Sequence, residues 1–173
     1  MQDRAIKAVN MDGGNNIFES DVKKSFDASD DSDLEGLRIL VVDDEADSRD
    51  LLAIRLQEYG AEVVTAPSVE VAMDILTRGI PRPDLILPDL ILSDIAMPGE
   101  DGYSLIRRVR ALDPEHGGQI PAIAVTAYNR TKDRVRALAA GFQMYMSKPI
   151  KMTELVLTII AVMRRFNHMA RTS

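Results

Sequence analysis

Residues Leu37 to Glu45 read LRILVVDDE, an aliphatic run that ends abruptly in two carboxylates. Ile39, Leu40, Val41 and Val42 follow one another with no polar alternation. An uninterrupted run of this kind suits a short strand buried on both faces, the situation of a parallel sheet. On that reading Asp43 and Asp44 stand at the strand's carboxyl end. The residues that follow decide whether the pattern repeats.

It does. Ala46 to Tyr59 carries Leu51, Leu52, Ile54, Leu56 and Tyr59 at helical spacing and is closed by Gly60. Glu62–Thr65 reads as a second strand. Ser68 is the expected N-cap of a helix through about Arg78, with Val69, Ala72, Met73, Ile75 and Leu76 facing inward and Gly79 ending it. A third helix is expected from Asp101 or Gly102 to about Leu112, followed by a loop from Asp113 to Gly118. Pro121–Val125 is a fourth strand, Arg130–Ala140 a helix stopped by Gly141, Gln143–Met146 a fifth strand and Met152–Phe166 a last helix. Strand and helix alternate throughout, which predicts an α/β fold: a doubly wound five-stranded parallel sheet covered on both faces.

The third strand is written twice. Residues 83–92 read PDLILPDLIL, a five-residue duplication followed at once by Ser93-Asp94-Ile95-Ala96-Met97-Pro98-Gly99. Proline has no backbone N–H and suits the start of a strand rather than its middle. Pro88 therefore favours the second copy, Asp89–Ser93, as the strand. The first copy is expected in an extended loop over Ile80–Leu87 at the sheet's amino-end edge.

Composition narrows the chemistry. There is no cysteine among the 173 residues, which excludes disulfides, thiolate catalysis and cysteine-bound zinc. No apolar run approaches the ~20 residues needed to span a bilayer, and the N-terminus lacks a secretion signal's apolar stretch. A cytoplasmic protein with no membrane association is the expectation. Residues 1–35 hold nine acidic and four basic residues, so the net charge of −6 belongs mostly to them. With Gly13-Gly14-Asn15-Asn16 and the run from Asp27 to Asp33, this segment is expected to be a flexible acidic leader or linker, with a short helix near Ile17–Phe26. Domain boundaries follow: the leader at 1–35, one folded domain at 36–167 and a tail at 168–173.

The strand ends gather the chemistry. Asp43 and Asp44 follow the first strand, Asp94 the third, Thr126 the fourth and Lys148-Pro149 the fifth. Open parallel sheets bind ligands beyond these ends. Three carboxylates at one edge repel one another unless a cation compensates, and a hard divalent ion with oxygen ligands suits them. Each residue alone has an ordinary structural explanation, such as a helix cap or a solvated charge. The set of five is far more specific.

With these residues in place, the chain resembles the receiver domain of bacterial two-component response regulators, over about Leu37 to Phe166. The runs that carry the resemblance are LRILVVDDE (37–45), SDIAMPGEDG (93–102), AVTAY (124–128) and MYMSKPI (144–150). The wording GEDGYSLIRRVRAL and RVRALAAGFQMYMSKP is similar to receivers attached to hybrid sensor histidine kinases. The resemblance implies a flavodoxin-like (βα)5 fold with strand order 2-1-3-4-5. It implies that Asp94 is the phosphoacceptor, taking a phosphoryl group from a histidine kinase or a histidine phosphotransfer protein. Asp43, Asp44, a carboxylate oxygen of Asp94 and the backbone carbonyl of Ala96 would hold Mg²⁺. Lys148 and Thr126 would bind phosphoryl oxygens, and Thr126 with Tyr145 would switch the face formed by the fourth helix, fifth strand and fifth helix. That face would be read by a protein target, and homodimerisation through it follows by analogy alone. The resemblance also implies a cis Lys148-Pro149 bond.

Further expectations concern what the chain does beyond this. Ala96 offers no polar side chain to orient water and Tyr128 is bulky, so slow self-dephosphorylation is expected. Only about seven residues follow the last expected helix. No separate output enzyme and no direct DNA binding are therefore expected. His116 and His168 are read as solvent-exposed rather than as phosphodonors. Two competing readings are a pseudo-receiver that only binds partners and a Mg²⁺-dependent phosphatase with an aspartyl nucleophile. The five pocket residues count against the first. The missing DxD pattern at the first strand counts against the second.

Overall fold

A computed structural model describes residues 33–78, 87–128 and 130–171. The leader up to residue 32, its short helix, the Gly79 helix stop and the loop at 80–86 lie outside the described residues. β1 (Arg38–Val42), α1 (Ala46–Glu58), β2 (Glu62–Ala66), α2 (Val69–Arg78), β3 (Leu90–Ser93) and α3 (Gly102–Arg110) come first. A 3-10 turn (Pro114–His116), β4 (Ala122–Thr126), α4 (Thr131–Ala140), β5 (Met144–Ser147) and α5 (Met152–Arg171) complete the chain. The strands form one sheet in the order β2-β1-β3-β4-β5, and every pairing is parallel.

The apolar strands need both faces covered, and the alternation within them shows how. Leu40 and Val42 of β1, Ile91 of β3, and Ala122 and Ala124 of β4 face the cluster built by α2, α3 and α4. Ile39 and Val41, Leu90 and Leu92, and Ile123 and Val125 face Leu56 of α1 and Leu155, Val156 and Ile159 of α5. Each fully buried Leu or Ile contributes roughly 1.5–3 kcal/mol. The three central strands therefore dominate the core, while edge strands β2 and β5 are only partly covered.

The second copy of the repeated word is the strand. Leu90, Ile91, Leu92 and Ser93 pair with Ile39, Leu40, Val41 and Val42 of β1. Asp89 fastens the entry to the sheet: its N–H donates to the Arg38 carbonyl and its Oδ2 accepts the Arg38 N–H, both at 2.8 Å. Pro88 is buried just before, where its missing N–H is harmless. Leu87, the last residue of the first copy, packs half-buried on the α2–α4 side of the core.

The structure departs from the expected bounds at Leu34 and α5, and it adds detail at α1 and Arg110. Leu34, assigned to the leader by composition, is fully buried and donates its N–H to the Tyr59 carbonyl at 2.9 Å. α1 buries Ala53 and Leu56 but turns Leu51 and Ile54 outward, because only one stripe of a helix faces the sheet. α5 runs to Arg171, past Phe166 and through much of the expected tail, so His168 is a helical residue. Arg110 carries a structural role that no local pattern announced. Its guanidinium donates to the carbonyls of Gly118, Ile120 and Gly141 and to Oε1 of Gln143, tying α3 to the amino-end edge of β4 and β5. Burial without a carboxylate partner lowers its pKa.

Candidate functional site

The ladder hydrogen bonds do not stop at the strand ends; they continue into the acidic residues. The Asp43 N–H donates to the Ala66 carbonyl at 3.2 Å, the Asp94 N–H to the Val42 carbonyl at 2.8 Å, and the Lys148 N–H to the Thr126 carbonyl at 2.8 Å. Sheet register thus positions each of these backbones. Asp43, Asp94 and Thr126 are buried, whereas Asp44 is exposed. Oxygens of Asp43, Asp44 and Asp94 lie within 4.8 Å of one another.

Lys148 sits between two of them. Its Nζ is 3.0 Å from Oδ2 of Asp43 and 3.0 Å from Oδ2 of Asp94. Burial alone would lower its pKa, but the hydrogen bonds to Asp94 and Asp43 and their charges outweigh that, and the net shift is upward. The Lys148-Pro149 peptide bond is cis.

The remaining oxygens are held by short local contacts. Oδ1 of Asp94 accepts the Ala96 N–H at 3.0 Å, and the Asp94 carbonyl accepts the Ser93 hydroxyl at 2.8 Å. Oδ1 of Asp43 accepts the Glu45 N–H at 2.9 Å, and its Oδ2 also accepts the Ser48 hydroxyl at 3.0 Å. Arg49 reaches back from α1 and donates to the Asp43 carbonyl at 2.7 Å. On the far side, Gly102 opens α3 against the loop that begins at Asp94. A Cβ there would stand 2.4 Å from the Asp94 carbonyl oxygen. Asp101 caps the same helix by accepting the Ser104 N–H at 2.8 Å.

The expected switch residues are also brought together. Thr126 Oγ1 accepts the Tyr128 N–H at 3.3 Å, and the Tyr145 hydroxyl donates to the Tyr128 carbonyl. Tyr145 is half-buried against the α2–α4 core, and burial, then Asp133 and Tyr103, raise its pKa. Tyr103 packs beneath Arg136 at 4.1 Å and donates its hydroxyl to the Asp133 carbonyl at 3.4 Å. His116 stands apart from the pocket, exposed in its turn beside Asp113.

The structure brings Asp43, Asp44, Asp94 and Lys148 together at one edge of the sheet, with Thr126 joined to Lys148 through its backbone carbonyl and Tyr145 linked through Tyr128. Sequence reasoning missed Ser48, Arg49 and the close approach at Gly102. The Gly102 signal was available in the GEDG run; Ser48 and Arg49 had none beyond their place in the first turn of α1. The donor set is all carboxylate oxygen, which fits a small hard divalent cation such as Mg²⁺.

Comparison with known proteins agrees with this geometry. Residues 39–160 match the response regulator receiver domain. An uncharacterized 14.6 kDa protein from Leptolyngbya boryana is 47% identical over 118 residues, covering 68% of this chain and 83% of that protein. The phosphate regulon transcriptional regulatory protein PhoB of Escherichia coli is 38% identical over 133 residues, which cover 77% of this chain and 54% of PhoB. The chain thus spans about half the length of that regulator. The crystal structure of a putative response regulator from Chloroflexus aurantiacus superposes with a TM-score of 0.65 at 28% identity, covering 74% of this chain and 98% of that one. Among the described residues no helix is long and apolar enough to cross a membrane. A parallel sheet in the order 2-1-3-4-5 with an acid cluster at its carboxyl edge, and a match over most of the folded part, lead to one conclusion: the chain belongs to the response regulator receiver family of two-component systems.

Proposed function

We propose that Asp94 accepts a phosphoryl group from a phosphohistidine on a histidine kinase or histidine phosphotransfer protein. The observation that carries this reading is the Lys148 ammonium 3.0 Å from both Asp94 and Asp43. A carboxylate oxygen of Asp94 attacks phosphorus, the P–N bond breaks, and the imidazole leaves with the electron pair and takes a proton from solvent. Such transfer asks the protein mainly to position the reactants and to balance charge on the equatorial oxygens. Lys148 and the Thr126 hydroxyl supply donors for those oxygens. The Ala96 N–H holds the acceptor carboxylate, and Gly102 holds the loop behind it. Asp43, Asp44, Asp94 and the Ala96 carbonyl are the residues that would hold Mg²⁺, which supplies charge neutralisation and oxygen alignment when bound.

Thr126 meets the phosphoryl group by giving up its contact with the Tyr128 N–H. That movement reaches Tyr145, whose hydroxyl is bonded to the Tyr128 carbonyl, and so alters the face formed by α4, β5 and α5. A protein partner reads this face; DNA binding and any second enzymatic activity form no part of the proposal. A cytoplasmic location goes with such partners.

The test is incubation with a small acyl phosphate and Mg²⁺. One base-labile, acid-resistant phosphoryl adduct, lost in Asp94→Ala, is expected by mass spectrometry. No adduct would favour a pure interaction module. Continuous turnover of the donor would favour a phosphatase.

A further inference from the structure

α4 and its capping residue carry four cations, Arg130, Lys132, Arg134 and Arg136, against one acid, Asp133. This is a local excess of positive charge on a chain whose net charge is −6. Arg136 is engaged by the Tyr103 ring. Arg130, Lys132 and Arg134 are exposed and form no ion pair among the described residues. Exposed apolar groups lie between them: Val135 is 61% exposed and Leu138 44%. Helical spacing puts Arg134 and Leu138, four residues apart, on one outward stripe with Val135 beside them. At the amino end of the helix a cavity of about 300 Å³ is lined by Ala127, Tyr128, Arg130, Lys132 and Asp133. Its wall begins one residue beyond Thr126.

We propose that this face docks an acidic, amphipathic segment of a partner protein. Carboxylates meet Arg130, Lys132 and Arg134, apolar side chains cover Val135 and Leu138, and one acidic side chain enters the cavity beside Tyr128. The identity of the face as the read-out surface rests on the function proposed above; the charge and apolar pattern of its occupant does not.

A second copy of this chain fits less well. β5 has no charged residue, and the one acid of α5, Glu154, is already paired with Lys151 at 3.1 Å. Two such faces would set cations against cations. Nucleic acid fits less well too, since apolar groups interrupt the basic stripe.

The experiment titrates the full chain into a fluorescein-labelled helical peptide that interleaves Glu and Leu on one face at three- and four-residue spacing. The comparison probes are a Glu→Gln peptide, a Leu→Ser peptide and random-sequence duplex DNA. Fluorescence anisotropy is expected to show binding of the first peptide only, weakened about tenfold in the double variant Lys132→Glu/Arg134→Glu. Val135→Ser/Leu138→Ser is expected to weaken it about fivefold. Equal binding of the Gln peptide, no binding of the Glu peptide, tighter binding of DNA, or a dimer formed through this face would each overturn the proposal. Phosphorylation of Asp94 by the small acyl phosphate is measured on the same proteins. Its absence in the wild type would overturn the function proposed above and leave the charge pattern of the docking surface to be judged by the peptide alone.

Discussion

Gly102→Ala is the sharpest test of how the acceptor is positioned. A Cβ at this site would lie 2.4 Å from the Asp94 carbonyl oxygen and 2.8 Å from Ile95 Cα. Both neighbours are backbone atoms, so no side-chain rotation relieves the clash. Restoring ordinary contact at about 3.4 Å separates the first turn of α3 from the acceptor loop by roughly 1 Å. The Gly102 N–H bond to the Ile95 carbonyl, 3.0 Å long, stretches with it. Overpacking of this kind costs about 1–3 kcal/mol, or a fall in Tm of about 3–10 °C. A shift of that size at a reacting group lowers the rate by roughly 10²-fold. Initial rates of phosphoryl incorporation from a small acyl phosphate with Mg²⁺, beside thermal unfolding by circular dichroism, measure both effects. Gly99→Ala is the control: its φ of +76° makes it strained, but nothing lies within 4 Å of the added methyl. That variant is expected to lose about 1 kcal/mol and to keep its rate within a few-fold. A Gly102→Ala protein with wild-type rate and Tm would refute the argument that this close approach fixes Asp94.

Three further outcomes are expected. Arg49→Gln removes the guanidinium from the Asp43 carbonyl and is expected to weaken Mg²⁺ binding several-fold by calorimetry, with about 1 kcal/mol lost in stability; unchanged affinity would make Arg49 irrelevant to the acid loop. Because the Lys148 pKa is raised, its contribution to stability is complete below the ordinary value of 10.5 and is lost as pH climbs through the shifted one. The Tm difference between wild type and Lys148→Met should therefore be constant between about pH 7 and 9 and shrink above about 10.5, and a difference that grows there would contradict the shift. Ala96→Asn and Tyr128→Glu are each expected to shorten the lifetime of the phosphorylated state, about threefold or more, by giving water a polar partner beside the acyl phosphate; unchanged or longer lifetimes would show that these side chains do not control hydrolysis.

Much of this was legible because the parallel sheet leaves two coincident signals. Runs such as Ile39–Val42 announce burial on both faces, and the polar residue that ends each run falls on the same edge. The duplicated word was resolved by Pro88 and by the loop after Asp94, both local features. What stayed hidden depends on contacts between distant segments. Leu51 and Ile54 look as apolar as Leu56, and only packing against the sheet separates them. Arg110 and Arg49 act on main-chain carbonyls, which every residue possesses, so no partner in the sequence marks them. Leu34 sits at the end of an acidic segment whose composition conceals its burial.

The sharing of Lys148 between Asp43 and Asp94 has a consequence for signalling. Three carboxylates and one ammonium leave the pocket with an excess of two negative charges. Under the proposed chemistry a divalent cation cancels that excess. Converting the Asp94 carboxylate to an acyl phosphate then restores about one negative charge. In formal charge the phosphorylated, metal-loaded pocket lies between its empty and its loaded states. A distant reader sensing only the electric field would confuse phosphorylation with partial loss of metal. On that proposal the message would have to travel as shape, and the bonds that link Thr126, the Tyr128 backbone and Tyr145 offer a route for it as displacement rather than as voltage.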